Sequence, residues 1–202
     1  MIYEQLYDYD AQLRQAHGSL LCGCDEAGRG PLAGPVCCAA VILPQDARFE
    51  WLNDSKKVTE KRRERLYEEI VEAALYWSCE FVDNEDIDKM NILAASLWGM
   101  KKAVENLTVK PDFIAVDGNK KPDFNGIACE PVVKGDSKSA SIAAASIIAK
   151  VTRDRFMRAL DEKYPQYGFA KHKGYPTKEH YAAIAQYGVT QYHRLTFLHD
   201  GR

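Results

Sequence analysis

Short apolar runs set off by turn residues dominate the first two thirds of the chain. Residues 20–24 and 36–43 are apolar throughout and too short for buried helices, so both predict strands. Residues 74–82 predict a third strand, 112–116 a fourth beyond Pro111, and 128–133 a fifth. Between them the apolar positions take helical spacing. A helix starting near Thr59, which is placed to cap it, turns Leu66, Ile70 and Ala73 inward and leaves Lys61, Arg62, Arg63 and Glu64 exposed. Residues 84–106 predict one long helix through Ile87, Met90, Ala94, Leu97, Lys101 and Val104. Residues 137–163 predict another, and its first half, with Ala143-Ala144-Ala145 and Ile147-Ile148-Ala149, is apolar on nearly every side and should be buried. Further along, Ala145, Ile148, Thr152, Phe156 and Leu160 share one face. Lys150, Asp154, Arg158 and Asp161 share the other, which puts Asp154 at the surface. Residues 1–17 predict a short helix or arm, 164–177 an aromatic and basic loop, and 178–187 a short helix. The order implies an α/β fold: a mixed five-stranded sheet flanked by helices, its first three strands paired as a meander, with a helical C-terminal region. Residues 1–163 then form the main domain, and residues 164–202 a helical and loop region packed with it as one unit.

Composition narrows the class. A chain of 202 residues can bury a sizeable core, and 46% hydrophobic with 28% charged residues is an ordinary globular balance. No apolar run approaches the roughly 20 residues of a membrane span. Residues 1–17 are polar and aromatic, unlike a signal peptide. Six cysteines lie in or beside apolar runs, none in a C-x-x-C pair, so zinc spacing is absent and reduced thiols in a cytoplasmic protein are expected. The net charge of −2 does not announce a nucleic-acid binder. Its distribution says more: residues 134–202 carry 12 Lys+Arg against 6 Asp+Glu, a balance of +6, and the rest of the chain is correspondingly acidic. A basic C-terminal third could face a polyanion, or could be a solvated surface.

The candidate chemistry centres on Cys22-Gly23-Cys24-Asp25-Glu26-Ala27-Gly28-Arg29-Gly30-Pro31. A strand of period two would send Asp25 and Glu26 to opposite faces, and the glycines let the chain leave the strand there. Both carboxylates could then converge beyond the strand end, at a cost that a divalent cation between them would offset. The glycines open backbone N–H groups to an anion, with Arg29 beside them. A plain hairpin with charged turn residues fits this stretch about as well. Asp117, at the end of strand four before Gly118-Asn119, is a second acid at a strand end or an ordinary turn residue. Asp136, between strand five and the buried helix, is a third such acid or a helix cap. Four carboxylates without a matching basic residue at the strand ends describe a hard-metal site, and two ions there could clamp a phosphoryl displacement.

The chain resembles the ribonuclease HII family, the type 2 ribonucleases H. The matching pieces are Asp25-Glu26-Ala27-Gly28-Arg29-Gly30, Asn53-Asp54-Ser55-Lys56-Lys57, Val116-Asp117-Gly118, the run from Lys134-Gly135-Asp136-Ser137 to Arg153-Asp154, His172-Lys173-Gly174-Tyr175-Pro176-Thr177, and His193-Arg194. They stand in the family's order and span nearly the whole chain. The sister family, ribonuclease HIII, normally carries a long N-terminal extension and another residue at the Arg29 position, so the match favours HII. The resemblance implies an RNase H-like fold and Mg²⁺- or Mn²⁺-dependent endonucleolytic cleavage of RNA in RNA–DNA hybrids and in DNA containing single ribonucleotides. It implies that Asp25, Glu26, Asp117 and Asp136 hold the metals, with Asp25 bridging both ions. It also implies that Gly28, Arg29 and Gly30 meet the ribose 2′-OH and flanking phosphates, and that Tyr175 stacks on the following sugar. Asn53, Ser55, Lys56 and Lys173 join the expected substrate contacts, and Lys57, Lys171 and Arg194 suit phosphates. A monomer with no membrane partner is expected. Two other functions compete: a DNA nuclease or integrase-like phosphotransferase on the same kind of fold, and a nucleic-acid-binding module with structural acids. The Gly-Arg-Gly loop and Tyr175 favour the ribonuclease over both. No docking-peptide pattern stands out in residues 191–202.

Overall fold

The computed structural model describes residues 1–198; His199 and the end of the tail lie outside them. In chain order the elements are α1 (Glu4–His17), β1 (Leu21–Ala27), β2 (Val36–Ile42), α2 (Glu60–Ala73), β3 (Tyr76–Val82), α3 (Asn84–Met90), α4 (Ile92–Glu105), β4 (Phe113–Asp117), β5 (Ala128–Val132), α5 (Ala140–Lys163), α6 (Phe169–His172), α7 (Lys178–Tyr187) and α8 (Leu195–Leu198).

The strands form one mixed sheet in the order β3-β2-β1-β4-β5, with β1, β2 and β3 antiparallel as the expected meander and β4 and β5 parallel to β1. Alternation along each strand divides the core into two faces. Cys37, Ala39 and Val41 of β2 pack with Ala143, Ile147 and Ile148 of α5 and with Leu66 and Ile70 of α2. Cys22, Cys24, Cys38, Ala40 and Ile42 turn the other way, onto Met100, Ala103 and Val104 of α4. The small residues of α5 let it press on the sheet. At Gly23 of β1 a Cβ atom would stand 2.1 Å from the backbone carbon of Ser141, so only glycine permits the approach.

Several boundaries differ from expectation. Strand β1 runs on through Asp25 and Glu26 rather than ending before them, because both pair with β2, opposite Ala39 and Cys38. The single helix expected over 84–106 is broken at Asn91, whose φ of 70° is left-handed; its side chain accepts from the Leu93 and Ala94 N–H groups and so starts α4 afresh. Thr59 holds the N-cap position of α2 but makes no side-chain cap bond. Asp154 is not at the surface: it is 4% exposed, paired with Lys150 at 2.8 Å and with Arg63 at 4.0 Å. The helical repeat assigned it to a polar face, but α2 lies over that face of α5 and supplies Arg63.

Helix α1 is tied in rather than a loose arm. Asp10, 1% exposed, accepts from Ser139 Oγ at 2.5 Å, Ser141 N at 2.9 Å and Ser141 Oγ at 2.7 Å. That bond set pins the first turn of α5, three residues beyond Asp136. The C-terminal segment folds back in turn: Leu32 N donates to Gly174 O, Arg194 N to Leu32 O, and Gly34 N to Tyr192 O.

Candidate active site

Strand order brings the acids together. Strands β1 and β4 are parallel neighbours with Cys24 beside Val116, so Asp25 and Asp117 follow side by side at the same sheet edge. Beyond β5 the chain makes a tight 3-10 turn, Gly135–Ser137, which carries Asp136. Asp117 Oδ1 accepts the Gly135 N–H at 2.7 Å and lies 3.4 Å from the Asp136 N, so one carboxylate sets the backbone that presents the other. Asp136 does not cap α5; that position belongs to Ser139, whose hydroxyl accepts from Ile142 N. Asp25 Oδ1 accepts from the Glu26 N–H at 2.7 Å.

The charges feel one another. Burial raises the Asp25 carboxyl well above the ordinary carboxylate range, and the charges of Glu26 and Asp117 push the same way against the Glu26 N–H and Ser146. Glu26 is raised by burial and by Asp117, with Arg29 opposing. Asp136 is raised to about 6 by burial, then by Asp117 and Asp54, with Lys56 opposing. Asp54 thus joins the acidic group, although it was not among the expected ligands. As the side chains stand, no three His, Cys, Asp or Glu groups among the described residues are close enough together to form a ready cage. The donor set nevertheless fits a hard divalent cation: the ligands are oxygens only, and the shared repulsion is what a cation relieves.

The loop after β1 packs beside this edge. Gly28 has φ of 101°, and a Cβ there would stand 2.1 Å from Arg153 Nε, so the position demands glycine twice over. The Arg29 side chain is about half exposed, with Nη1 3.4 Å from Glu26 Oε1. A Cβ on Gly30 would stand 3.6 Å from Cε1 of Tyr175, so Tyr175 flanks the loop from the far end of the chain. Tyr175 is 39% exposed, which separates it from a packed core tyrosine. Exposed Lys56 sits across the same space. Burial lowers its pKa, but the carboxylates of Asp54, Asp25 and Asp136, with Tyr175 behind them, raise it overall.

The other expected contacts face differently. Asn53 Oδ1 accepts from Asp54 N at 2.8 Å. Ser55 is buried, its hydroxyl bonded to that of Ser146 at 2.9 Å. Lys173 caps α6 in a left-handed conformation and turns its ammonium onto Ala170 O. Lys57 donates to Ser137 Oγ at 2.9 Å, and Lys171 pairs with Glu179. Arg194, expected at phosphates, is fully buried. Its Nε, Nη1 and Nη2 all donate to backbone carbonyls of the 28–34 loop, so it faces that loop rather than a phosphate.

Sequence patterns missed two parts of this region. Arg153, 1% exposed, donates to Pro35 O, Ala33 O and Lys173 O and joins the loop to the segment before Tyr175. Its sequence signals are a basic residue in an apolar-rich helix and its place at the end of the matched run, and neither gave it a role. The second is a buried histidine group. His193 Nδ1 accepts from Thr190 N at 2.9 Å, so its proton sits on Nε2, 3.1 Å from His180 Nε2. His180 must then accept there and donate from Nδ1 to Tyr175 O at 3.0 Å. His172 Nδ1 accepts from Gly174 N and its Nε2 donates to Tyr167 O. All three are fixed as neutral tautomers. Burial, with His180 adding to it, lowers His193 to about 4.

The family model described as Ribonuclease HII matches residues 22–199. The ribonuclease HII of Acetivibrio thermocellus is 53% identical over 195 residues, covering 96% of this chain and 76% of that protein. That of Acinetobacter baylyi is 53% identical over 178 residues, covering 88% of this chain and 94% of the other. The crystal structure of the ribonuclease H2 from Pyrococcus horikoshii OT3 superposes with a TM-score of 0.72 at 30% identity, covering 87% of this chain and 92% of that one.

Proposed function

The chain belongs to the ribonuclease HII family, whose members are metal-dependent endoribonucleases of the ribonuclease H class, and from that membership we propose its reaction in detail. The protein hydrolyses the RNA strand of RNA–DNA hybrids and nicks DNA on the 5′ side of an embedded ribonucleotide. The observation that carries this is the sheet edge where β1 and β4 end: Asp25 and Asp117 leave neighbouring strands, Asp117 accepts the Gly135 N–H beside Asp136, and the loop after Glu26 runs to Gly30 against Tyr175.

Asp25, Glu26, Asp117 and Asp136 would hold two Mg²⁺ or Mn²⁺ ions. When bound, such ions supply an activated water and neutralise the charge that gathers on the phosphoryl oxygens and the leaving oxygen. In the hydrolysis a water oxygen bonds to phosphorus and releases a proton to solvent as the bond from phosphorus to the 3′-oxygen breaks, and that oxygen takes up a proton. The products are a 5′-phosphate and a 3′-hydroxyl. Gly28, Arg29 and Gly30 present backbone N–H groups and a guanidinium to the ribose 2′-OH and its flanking phosphates. A deoxyribose leaves those groups unpaired, which is where discrimination arises. Tyr175 lays its ring on the next sugar. Lys56 reaches phosphates, and Lys173 does so only by releasing Ala170 O, while Asn53 and Ser55 shape the loop that carries Lys56. Residues 1–163 carry the acids, residues 164–202 add Tyr175, and the two parts act as one monomeric unit. No helix among the described residues is long and apolar enough to cross a membrane.

The test uses a labelled DNA duplex with one embedded ribonucleotide, beside an all-DNA duplex, with Mg²⁺, Mn²⁺ or EDTA. A metal-dependent nick 5′ to the ribonucleotide, absent in all-DNA and lost in Asp25→Asn, is the expected result. Equal cutting of both duplexes would replace this function with that of a general nuclease. Binding without cutting under any metal would leave only a binding module.

A further inference from the structure

We propose that Arg194 and His193 are positioning residues that set the Gly28-Arg29-Gly30 loop against Tyr175 and so determine how strongly the enzyme prefers a ribonucleotide. This rests on the function proposed above. Arg194 Nη2 donates to Gly28 O at 2.7 Å, Nη1 to Arg29 O at 2.9 Å, and Nε and Nη2 to Gly34 O at 2.9 and 2.7 Å. In a trans peptide the carbonyl of one residue and the N–H of the next point in opposite directions. With the Gly28 and Arg29 carbonyls turned in to Arg194, the Arg29 and Gly30 N–H groups turn away from it, toward the face shared with Tyr175. The buried guanidinium thereby fixes the direction of two donors it never touches.

Its neighbour performs the matching task on the other side. His193 Nε2–H donates to His180, and His180 Nδ1–H donates to Tyr175 O. The dipeptide is joined to the loop by the Ala33 to His193 bridge and by Arg194 N to Leu32 O. One short backbone unit thus holds both jaws of the ribose-reading cleft. Arg153 adds a second guanidinium beneath, bonded to Ala33 O on one jaw and Lys173 O on the other. Among the described residues neither arginine has a carboxylate partner within salt-bridge distance. Two buried cations held by carbonyls, with the Phe197 ring 5.1 Å from the Arg194 guanidinium, are expensive in desolvation, and their positive field beneath the loop favours a phosphate above it.

The experiment measures duplex binding by fluorescence anisotropy in Ca²⁺, for a duplex with one embedded ribonucleotide and for the same duplex in all-DNA form. Arg194→Lys keeps the charge, but one ammonium cannot serve the Gly28, Arg29 and Gly34 carbonyls together. His193→Phe keeps an aromatic ring but removes the donor to His180 together with the acceptor of the Thr190 N–H, and it serves if the arginine variant does not fold. In folded variants, confirmed by circular dichroism, the preference for the ribonucleotide duplex should fall about tenfold for Arg194→Lys. It should fall severalfold for His193→Phe, while all-DNA affinity and Mn²⁺ binding by calorimetry stay within about twofold. An unchanged preference, with both affinities moving together, would reduce the two residues to structural supports and overturn the inference. A wild-type protein with no preference would instead overturn the proposed function, and the inference with it.

Discussion

Asp10→Ala is expected to lower stability by about 3 kcal/mol. The substitution leaves the Ser139 hydroxyl, the Ser141 hydroxyl and the Ser141 N–H of a buried helix start without their acceptor. Each costs about 1–1.5 kcal/mol when orphaned, about 4 kcal/mol together. Burial acts against this: it raises the Asp10 carboxyl despite the opposing bonds from Ser139 and Ser141, so removing the charge returns part of that cost, about 1 kcal/mol. The orphaned donors win. For 202 residues the unfolding entropy is about 0.4 kcal/mol per degree, so the midpoint should fall about 7 °C. Ser139 caps α5 close to Asp136, so cleavage measured well below the midpoint should also slow, by a smaller factor than for any of the four acids. Scanning calorimetry with EDTA checks the first figure and single-turnover cleavage the second. A midpoint shift under 2 °C would mean that desolvation cancels the three bonds, and the pinning of α5 by α1 would have to be abandoned.

Two further outcomes follow from the titrating groups. His193 is lowered to about 4 from an ordinary 6.5, so between those values the unfolded chain binds the extra proton. Its contribution is therefore fully present above pH 6.5 and is lost as pH falls toward 4, on the order of 2 kcal/mol after allowance for solvent screening. Urea midpoints at pH 7 and pH 4.5 should drop further in wild type than in His193→Phe, and equal drops would refute this. Asp25 has the opposite sign: its folded carboxyl is raised, so its charge opposes folding at neutral pH. Asp25→Asn should melt higher than wild type in EDTA and lose most of the stabilisation that Mn²⁺ brings; a lower midpoint in EDTA would contradict the crowding of the acids.

Much of this protein is written in local pattern. Five apolar runs and the helical spacing between them determined the strands, most of the helices and the α/β class, because burying one face needs the period that matches the element. The Asp25-Glu26 pair, the Gly28-Arg29-Gly30 loop and the isolated Asp117 and Asp136 pointed to metal and phosphate chemistry in their own segments. What local pattern did not decide is which charged groups are inside. Arg194 and Asp154 have the composition of surface residues, yet Arg194 is enclosed by carbonyls of a loop some 160 residues away and Asp154 by Arg63 of another helix. Asp10 is one acid in a polar helix until α5 arrives beside it. A buried charge exists only where distant backbone supplies its partners, and those partners meet only in the folded chain. The same holds for the acids: strand order 3-2-1-4-5 makes Asp25 and Asp117 neighbours, and that order is a property of the sheet.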